Sequence, residues 1–580
     1  MKIFPEAVVP FTATRLANAK LVFSNDRFEE NCDWLENYAY LIRSELETEA
    51  DFLPISKVFY AERYGGPGIS YNGGGARCGG DEYFDLKGIG KTPLAGTDSQ
   101  FWHSHGGMAL IHAIPEVIWG EVLHCALPFG AVRSAALVLT GTKCWLKDLS
   151  GKKVRASRAL VVREKSIRPA HFERAVFFRP ASGLNLLSET ERMMKAVANL
   201  PLFLPMPEMI ASDDLASMTR EDRLHLGLVE MACRFAIQSA AAKAKRLMHG
   251  AISASNICLD GKWIDFGSVA VHPNYSNTKS FDLAPFVPTF WEDLRAYRLI
   301  FQNICFYVSK YCSVRNSSKT VSATQLMNIF LTQFDAAVKI YFVRSAGFSI
   351  QIIENPICSG EVDALGGILL GLARKGVEKP FTPNGDDLSR FTGCRLDVIL
   401  LLLAKWHDDE SVSSRVSRYV LDQSLLKNLV DSYLAVAIYA YACARASGIG
   451  KEPFRLLCVI NTIKSGRNFV DLYRKNLMER STSLSHSYEL GINDRDELQN
   501  WVVSMRNRAE ILYGDIEPYR TLLWKAEGLS VVYEAQRDKW VLEESGKRQY
   551  LDTADVIGHP QLHEMLEFWG DELSEYLSLR

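Results

Sequence analysis

Several features that would direct a reading at once are scarce or missing. The 580 residues hold twelve Cys but no C-x-x-C pair and no spacing of the zinc-knuckle kind. That excludes a Cys-based zinc module or a dithiol redox motif as the chemistry of this chain. The thiols read as reduced and mostly buried, and they predict a cytoplasmic protein. Net charge is nearly absent, −2 overall, so bulk electrostatics recruits neither nucleic acid nor a membrane surface. Long apolar runs are lacking too. The longest, Val398–Ala404 and Tyr433–Ala444, fall well short of the roughly 20 residues that cross a bilayer, so buried helices and no membrane span are expected. Met1–Lys20 has no basic start followed by an apolar run, and no signal peptide is expected. What remains is an ordinary globular composition, 47% hydrophobic and 23% charged, in a length that allows two to four domains.

Texture divides the chain. Residues 1–55 read as a partly helical lead-in, because Phe28–Glu47 carries Trp34, Leu35, Tyr38, Leu41 and Ile42 at helical spacing. Residues 56–285 read as an α/β (α+β) core, its small lobe spanning about 56–180. Ala135–Thr140, Ala159–Arg163 and Ala175–Phe178 are expected as strands, and Glu189–Ala198 and Arg220–Leu247 as helices. Residues 286–580 are expected to be mainly helical, with Ala323–Val343, Leu396–Lys405, Ser424–Ala446, Pro453–Lys475 and Glu497–Tyr513 as the clearest helices. The number of copies that associate is left open.

The chemistry concentrates in residues 249–267. His249-Gly250 leads to Asn256, and nine residues later Asp265 precedes Phe266-Gly267. Asn and Asp are hard oxygen ligands of the kind that hold Mg²⁺ or Mn²⁺ against nucleotide phosphates, as in kinase-like ATP sites. A protein kinase places its catalytic Asp two residues after the His, where this chain has Ala251. The metal grip is present without the usual base. Upstream, Tyr64–Gly80 contains eight Gly in 17 residues, including Gly74, and also holds Arg77. This segment is either a phosphate-cradling loop or a loose hairpin turn. Tyr83–Gly88 reads as a strand carrying Lys87, and Pro115-Glu116 as the opening of a helix. Glu116 either pairs with Lys87, as a strand Lys and helix Glu do in kinases, or is a favourable charge in a first helical turn. Arg163 and Arg168, at the end of an apolar strand, are either phosphate-binding forks or surface residues.

The order of these pieces resembles the selenoprotein O (SelO) family, kinase-fold enzymes that transfer AMP from ATP to protein hydroxyls. Gly74-Gly75-Ala76-Arg77 is similar to the family's Gly-rich loop, and Leu86-Lys87-Gly88-Ile89-Gly90-Lys91-Thr92-Pro93 to its Leu-Lys-Gly-x-Gly-x-Thr-Pro signature. His105-Gly106-Gly107-Met108-Ala109-Leu110 resembles the Asp-Gly-Arg-Ala-Val-Leu segment, with His105 in place of Asp. Arg163 and Arg168 match the phosphate-binding pair, and Asn256 and Asp265 the metal positions. The match runs roughly from Val58 to Gly267.

The resemblance implies a protein-kinase-like fold and ATP as substrate, with Gly74, Arg77, Lys87, Gly106, Arg163 and Arg168 around it. It also implies Mg²⁺ or Mn²⁺ on Asn256 and Asp265, and a protein or peptide acceptor. The main departure is Ser255, which stands where the family has its catalytic Asp. A carboxylate acceptor is already ionised at neutral pH and needs no base. The sequence therefore supports three readings: an AMP transferase, a peptide-modifying ligase working through an acyl-adenylate, or an ATP-binding pseudokinase scaffold. The ligase reading fits a further resemblance of the Gly-rich loop and the Lys87–Pro93 run to MchC-type proteins of microcin maturation. Ordinary γ-phosphate transfer is disfavoured, since neither Ala251 nor Ser255 is an Asp.

Overall fold

A computed structural model describes residues 5–28, 32–148, 150–279, 288–312, 321–375, 394–405, 409–492, 496–526 and 528–578. Its N-terminal half is built on one eight-stranded sheet. The strands are β1 (Val8–Leu16), β2 (Lys20–Ser24), β3 (Tyr40–Leu41), β4 (Phe52–Glu62), β5 (Cys78–Gly80), β6 (Phe84–Lys87), β7 (Ser134–Lys147) and β8 (Lys153–Glu164). They lie in the order β2-β7-β8-β6-β5-β4-β1-β3, every neighbouring pair antiparallel.

The near-continuous apolar runs of β7 and β8 follow from burial on both faces. Along β8, Ala159 and Val161 face a core shared with the helix Leu110–Ala126. Leu160 and Val162 face a second cluster with Trp34, Tyr38 and Phe59. The period-two alternation of a strand thus sorts one sequence run between two cores.

The helical lead-in is corrected. Residues 8–24 form two strands on opposite sides of the sheet, and among the described residues of the lead-in, α-helix covers only Trp34–Tyr38, where Asp33 caps by accepting the Glu36 N–H. The alternation Val9, Phe11, Ala13 buried against Pro10 and Thr12 exposed is the strand signal, and helical spacing further on masked it. Ala175–Phe178 is no strand either; Val176 and Phe177 are exposed in a turn. The helix expected to open at Pro115 begins at Leu110, with Pro115 inside it.

Beyond residue 290 the described chain is mostly helical. Pro453–Lys475 is broken into Lys451–Gly466 and Arg474–Leu490, separated by a short turn at Val470–Leu472. A four-stranded antiparallel sheet, absent from the expectation, follows: β11 (Arg520–Ala526), β12 (Leu529–Glu534), β13 (Lys539–Glu544) and β14 (Lys547–Leu551). The short pair β9 (Leu247–Met248) and β10 (Ala270–Val271) lies between the two sheets in sequence. One hydrophobic core runs from Ala7 to Leu577 through both halves. Ala323–Ser345 and Pro356–Arg374 are long and apolar enough to cross a membrane by length and composition, and each is partly buried within the protein.

Candidate functional site

The loop that carries Asn256 and Asp265 is organised by a buried imidazole. His249 Nε2 lies 3.1 Å from the carbonyl oxygens of both Asn256 and Ile264, so its N–H ties the two arms of the loop together. Burial keeps this ring's pKa low, so it is neutral and can hold that tautomer. The Ile264 N–H donates to the Asn256 carbonyl, and the Asn256 side-chain N–H donates to Ala251 O at 2.9 Å. Asn256 Oδ1 is left to accept from Ser255 Oγ at 3.2 Å. Asp265 sits at φ +66°, in the left-handed region that a non-Gly residue rarely adopts. Backbone strain of this kind persists only where surrounding contacts over-determine it.

Those contacts come from across the sheet. Lys87, at the end of β6, places its ammonium 2.7 Å from Glu116 Oε1 and 3.1 Å from Asp265 Oδ1. Glu116 is buried well inside its helix rather than in the first turn, so pairing with Lys87 is the correct alternative. Lys87, followed by the Arg77 and Arg163 guanidiniums, holds the Asp265 carboxyl well below the usual carboxylate range despite opposing desolvation.

Arg163 and Arg168 are both buried, which rules out the surface reading. Arg163 Nη1 stands 3.5 Å from Glu116 Oε1. Arg168 donates to Ser255 O at 3.0 Å and lies over the Tyr64 ring. It therefore braces the backbone at the position where a catalytic Asp was expected.

Two cavities meet this loop. The smaller, about 280 Å³, is lined by Arg77, Lys87, Glu116 and Asp265 together with His112 and Arg474. The larger, about 730 Å³, is lined by Gly68, Glu173, Ala251, Ser253, Asn256 and Asn303 among others. Gly267 belongs to the first and Ser268 to the second, so residues 265–268 lie between them.

Gly74 and Gly106 line neither cavity. Both occupy close backbone approaches at positive φ, +139° and +83°, where a Cβ would fall 2.1 Å from Glu62 O and 2.2 Å from the Gly90 carbonyl carbon. Ser255 is buried, its Oγ 3.0 Å from Ser253 Oγ. Asn256 and Asp265 offer side-chain oxygens of the hard type that suits Mg²⁺ or Mn²⁺. Among the described residues no group of three or more His, Cys, Asp or Glu side chains is placed to hold a metal ion, at this loop or elsewhere.

Sequence reasoning missed Arg474, whose Nη1 donates to Gly267 O at 3.0 Å, and Glu173. Arg474 arrives from the helical half, more than 200 residues away in sequence, with no local pattern to announce it. Glu173 could have been noticed five residues after Arg168, as an acid within an otherwise apolar and basic stretch.

Residues 60–344 match the family model described as protein adenylyltransferase SelO. The match starts close to the Val58 expected from the motifs and continues past Gly267 through most of the helix Ala323–Ser345. No curated protein matches the chain.

Proposed function

Because residues 60–344 match the family model described as protein adenylyltransferase SelO, we propose that this chain is a member of that family and transfers AMP from ATP to a protein or peptide acceptor, with a kinase-like core as its catalytic frame. The observation that carries the reading is Lys87, held between Glu116 and Asp265 on the wall of a cavity that also presents Arg77. A buried ammonium fixed by two carboxylates is a preorganised cation. It stabilises charge on a phosphate without having to reorganise during reaction.

In this reading ATP phosphates occupy the smaller cavity, against Lys87, Arg77 and Arg474. Arg163 holds Glu116 from behind, and Arg168 holds the 255–256 backbone. Asn256 and Asp265 would hold Mg²⁺ or Mn²⁺, which when bound neutralises phosphate charge. The acceptor approaches from the larger cavity, lined by Ser253 and Asn256. Pyrophosphate leaves as the acceptor atom bonds to the α-phosphorus.

The scaffold reading is disfavoured by the same Lys87 arrangement, since a scaffold has no use for a strained Asp265 aligned on a buried cation. A cytoplasmic setting is part of the proposal. Its support is that the twelve Cys form no disulfide among the described residues.

The test is incubation of the purified chain with Mg²⁺ and either α-labelled or γ-labelled ATP. Protein label from the α position alone is the expected result. Label from the γ position alone would make the chain a kinase and overturn the proposal. Loss of the α label in hydroxylamine would identify a carboxylate acceptor and select the ligase reading.

A further inference from the structure

The larger cavity holds a carboxylate that nothing described so far uses. Glu173 is 1% exposed and lines the cavity with Ser253, Ala251 and Asn256. Its Oε2 accepts from the Asn303 side chain at 2.9 Å, while its Oε1 is buried without a hydrogen-bond partner. Leaving an acceptor oxygen buried and unmatched costs stability. An acid kept in such a state on a cavity wall is suited to receive something that enters.

The placement of Glu173 relative to the loop at 249–256 is rigid. It follows the short 3₁₀ turn Pro169–Phe172, and the Ala170 N–H in that turn donates to Ala254 O at 3.0 Å. The Gly-rich segment passes directly over it, and a Cβ on Gly66 would lie 2.5 Å from Glu173 Oε2 and 3.9 Å from Ala254 Cβ. Two residues on, a Cβ on Gly68 would lie 2.5 Å from Ser255 Oγ. Glu173 and position 255 therefore flank the same stretch of the Gly-rich segment. The other carboxylate on this cavity, Asp293, is committed to Lys243 at 2.6 Å. Ser253 and Ser255 carry only hydroxyls, which are poor bases near neutral pH.

We propose that Glu173 is the base that position 255 lacks: its carboxylate takes the proton from an acceptor hydroxyl entering the larger cavity. The acceptor oxygen then bonds to the α-phosphorus of ATP, the bond from that phosphorus to the bridging oxygen breaks, and pyrophosphate leaves with its electron pair. This inference rests on the adenylyl-transfer reading and adds the residue that handles the proton.

Burial raises the Glu173 pKa to about 7, with the Asn303 hydrogen bond opposing, and a base near the working pH is the efficient one. The charged and titratable groups around it are Asp293 across the cavity, Arg192 on Glu189–Phe203 and Tyr307 on Ala296–Tyr311, with His171 and Arg174 on its own segment. Asp293 is paired with Lys243, and Arg192 donates to Glu189 and to the Glu173 main-chain carbonyl.

The experiment measures labelled AMP, both protein-bound and released to water, from α-labelled ATP and Mg²⁺ with the full chain, its E173Q, E173D, K87M and E173Q/S255D variants, and ATP binding by each. Glu173→Gln keeps the shape and can still accept from Asn303. Expected for E173Q are a loss of about 100-fold or more in kcat, an unchanged ATP Kd, a melting temperature no lower than that of the wild type, and disappearance of the rate limb near pH 7. E173D is expected to keep part of the activity, and S255D to restore transfer in the E173Q background. Wild-type kcat and pH profile in E173Q, with K87M inactive, would overturn the role of Glu173 and leave the site reading intact. A loss in E173Q that comes with a lowered melting temperature, and that neither E173D nor S255D relieves, would make Glu173 a packing residue. ATP binding by the wild type without any AMP formation would overturn adenylyl transfer, and the base with it.

Discussion

Replacing Lys87 by Met removes the cation that pairs closely with both Glu116 and Asp265, and nearly preserves side-chain length. At an effective dielectric of about 20, unit charges 2.7 Å and 3.1 Å apart attract by roughly 6 and 5 kcal/mol before desolvation is counted. The second figure is an upper bound, because the Asp265 side chain is 43% exposed and screened by solvent. What the substitution costs is set by the partner left behind. Glu116 is buried and would lose its closest counter-ion, a situation worth about 3–5 kcal/mol. Arg163 remains 3.5 Å from Glu116 Oε1, so the loss belongs at the low end, about 3 kcal/mol.

The activity effect is separate. A preorganised donor to a developing phosphate charge is worth about 10²–10³-fold, so K87M is expected to lose at least that much AMP transfer. The depressed Asp265 pKa gives stability that is full above its ordinary unfolded value near 4 and is lost only as pH falls towards the lower folded one. Between pH 6 and 8 the carboxylate is ionised with or without Lys87, so no pH artefact enters the comparison. The assays are α-label transfer at saturating ATP and urea unfolding. Transfer within threefold of wild type in folded K87M would refute the site.

Other consequences can be checked independently. Gly106→Ala forces a Cβ to within 2.2 Å of the Gly90 and Lys91 backbone at φ +83°, and should cost at least about 2 kcal/mol; a melting temperature within a degree of wild type would be the contrary result. Arg246 and Asp397 form a buried pair between the core and the helical half, so Asp397→Asn should destabilise by about 3–5 kcal/mol in denaturant titration. A fragment ending at residue 285 should likewise fail to unfold cooperatively. The raised Glu173 pKa means that the folded protein holds a proton that the unfolded chain has released. Stability from this group therefore falls as pH rises from about 4.5 to about 7, by up to roughly 3 kcal/mol. E173Q should flatten that part of a stability-against-pH curve, and an unchanged curve would count against the shift.

Part of this molecule could be read locally. The loop from His249 to Gly267 closes through bonds spanning 7 and 15 residues, so spacing alone brought Asn256 and Asp265 into one structure. The same holds for β7 and β8, whose apolar runs demand burial on both faces, and for the strand that ends in Lys87. Where the partner was distant, composition left two answers open. Glu116 and Asp265 lie 29 and 178 residues from Lys87, and only assembly of the sheet against the helix decided that Glu116 is a buried ion-pair member. Arg163 and Arg168 look like surface cations until that assembly buries them. β1 and β2 were hidden because a strand's alternation specifies a face but not the neighbour that covers it. Glu173 became noticeable only once the fold had closed a cavity around it. A side chain's charge is written in the sequence, but the water removed from it, and hence its chemistry, is decided by residues that folding brings from far along the chain.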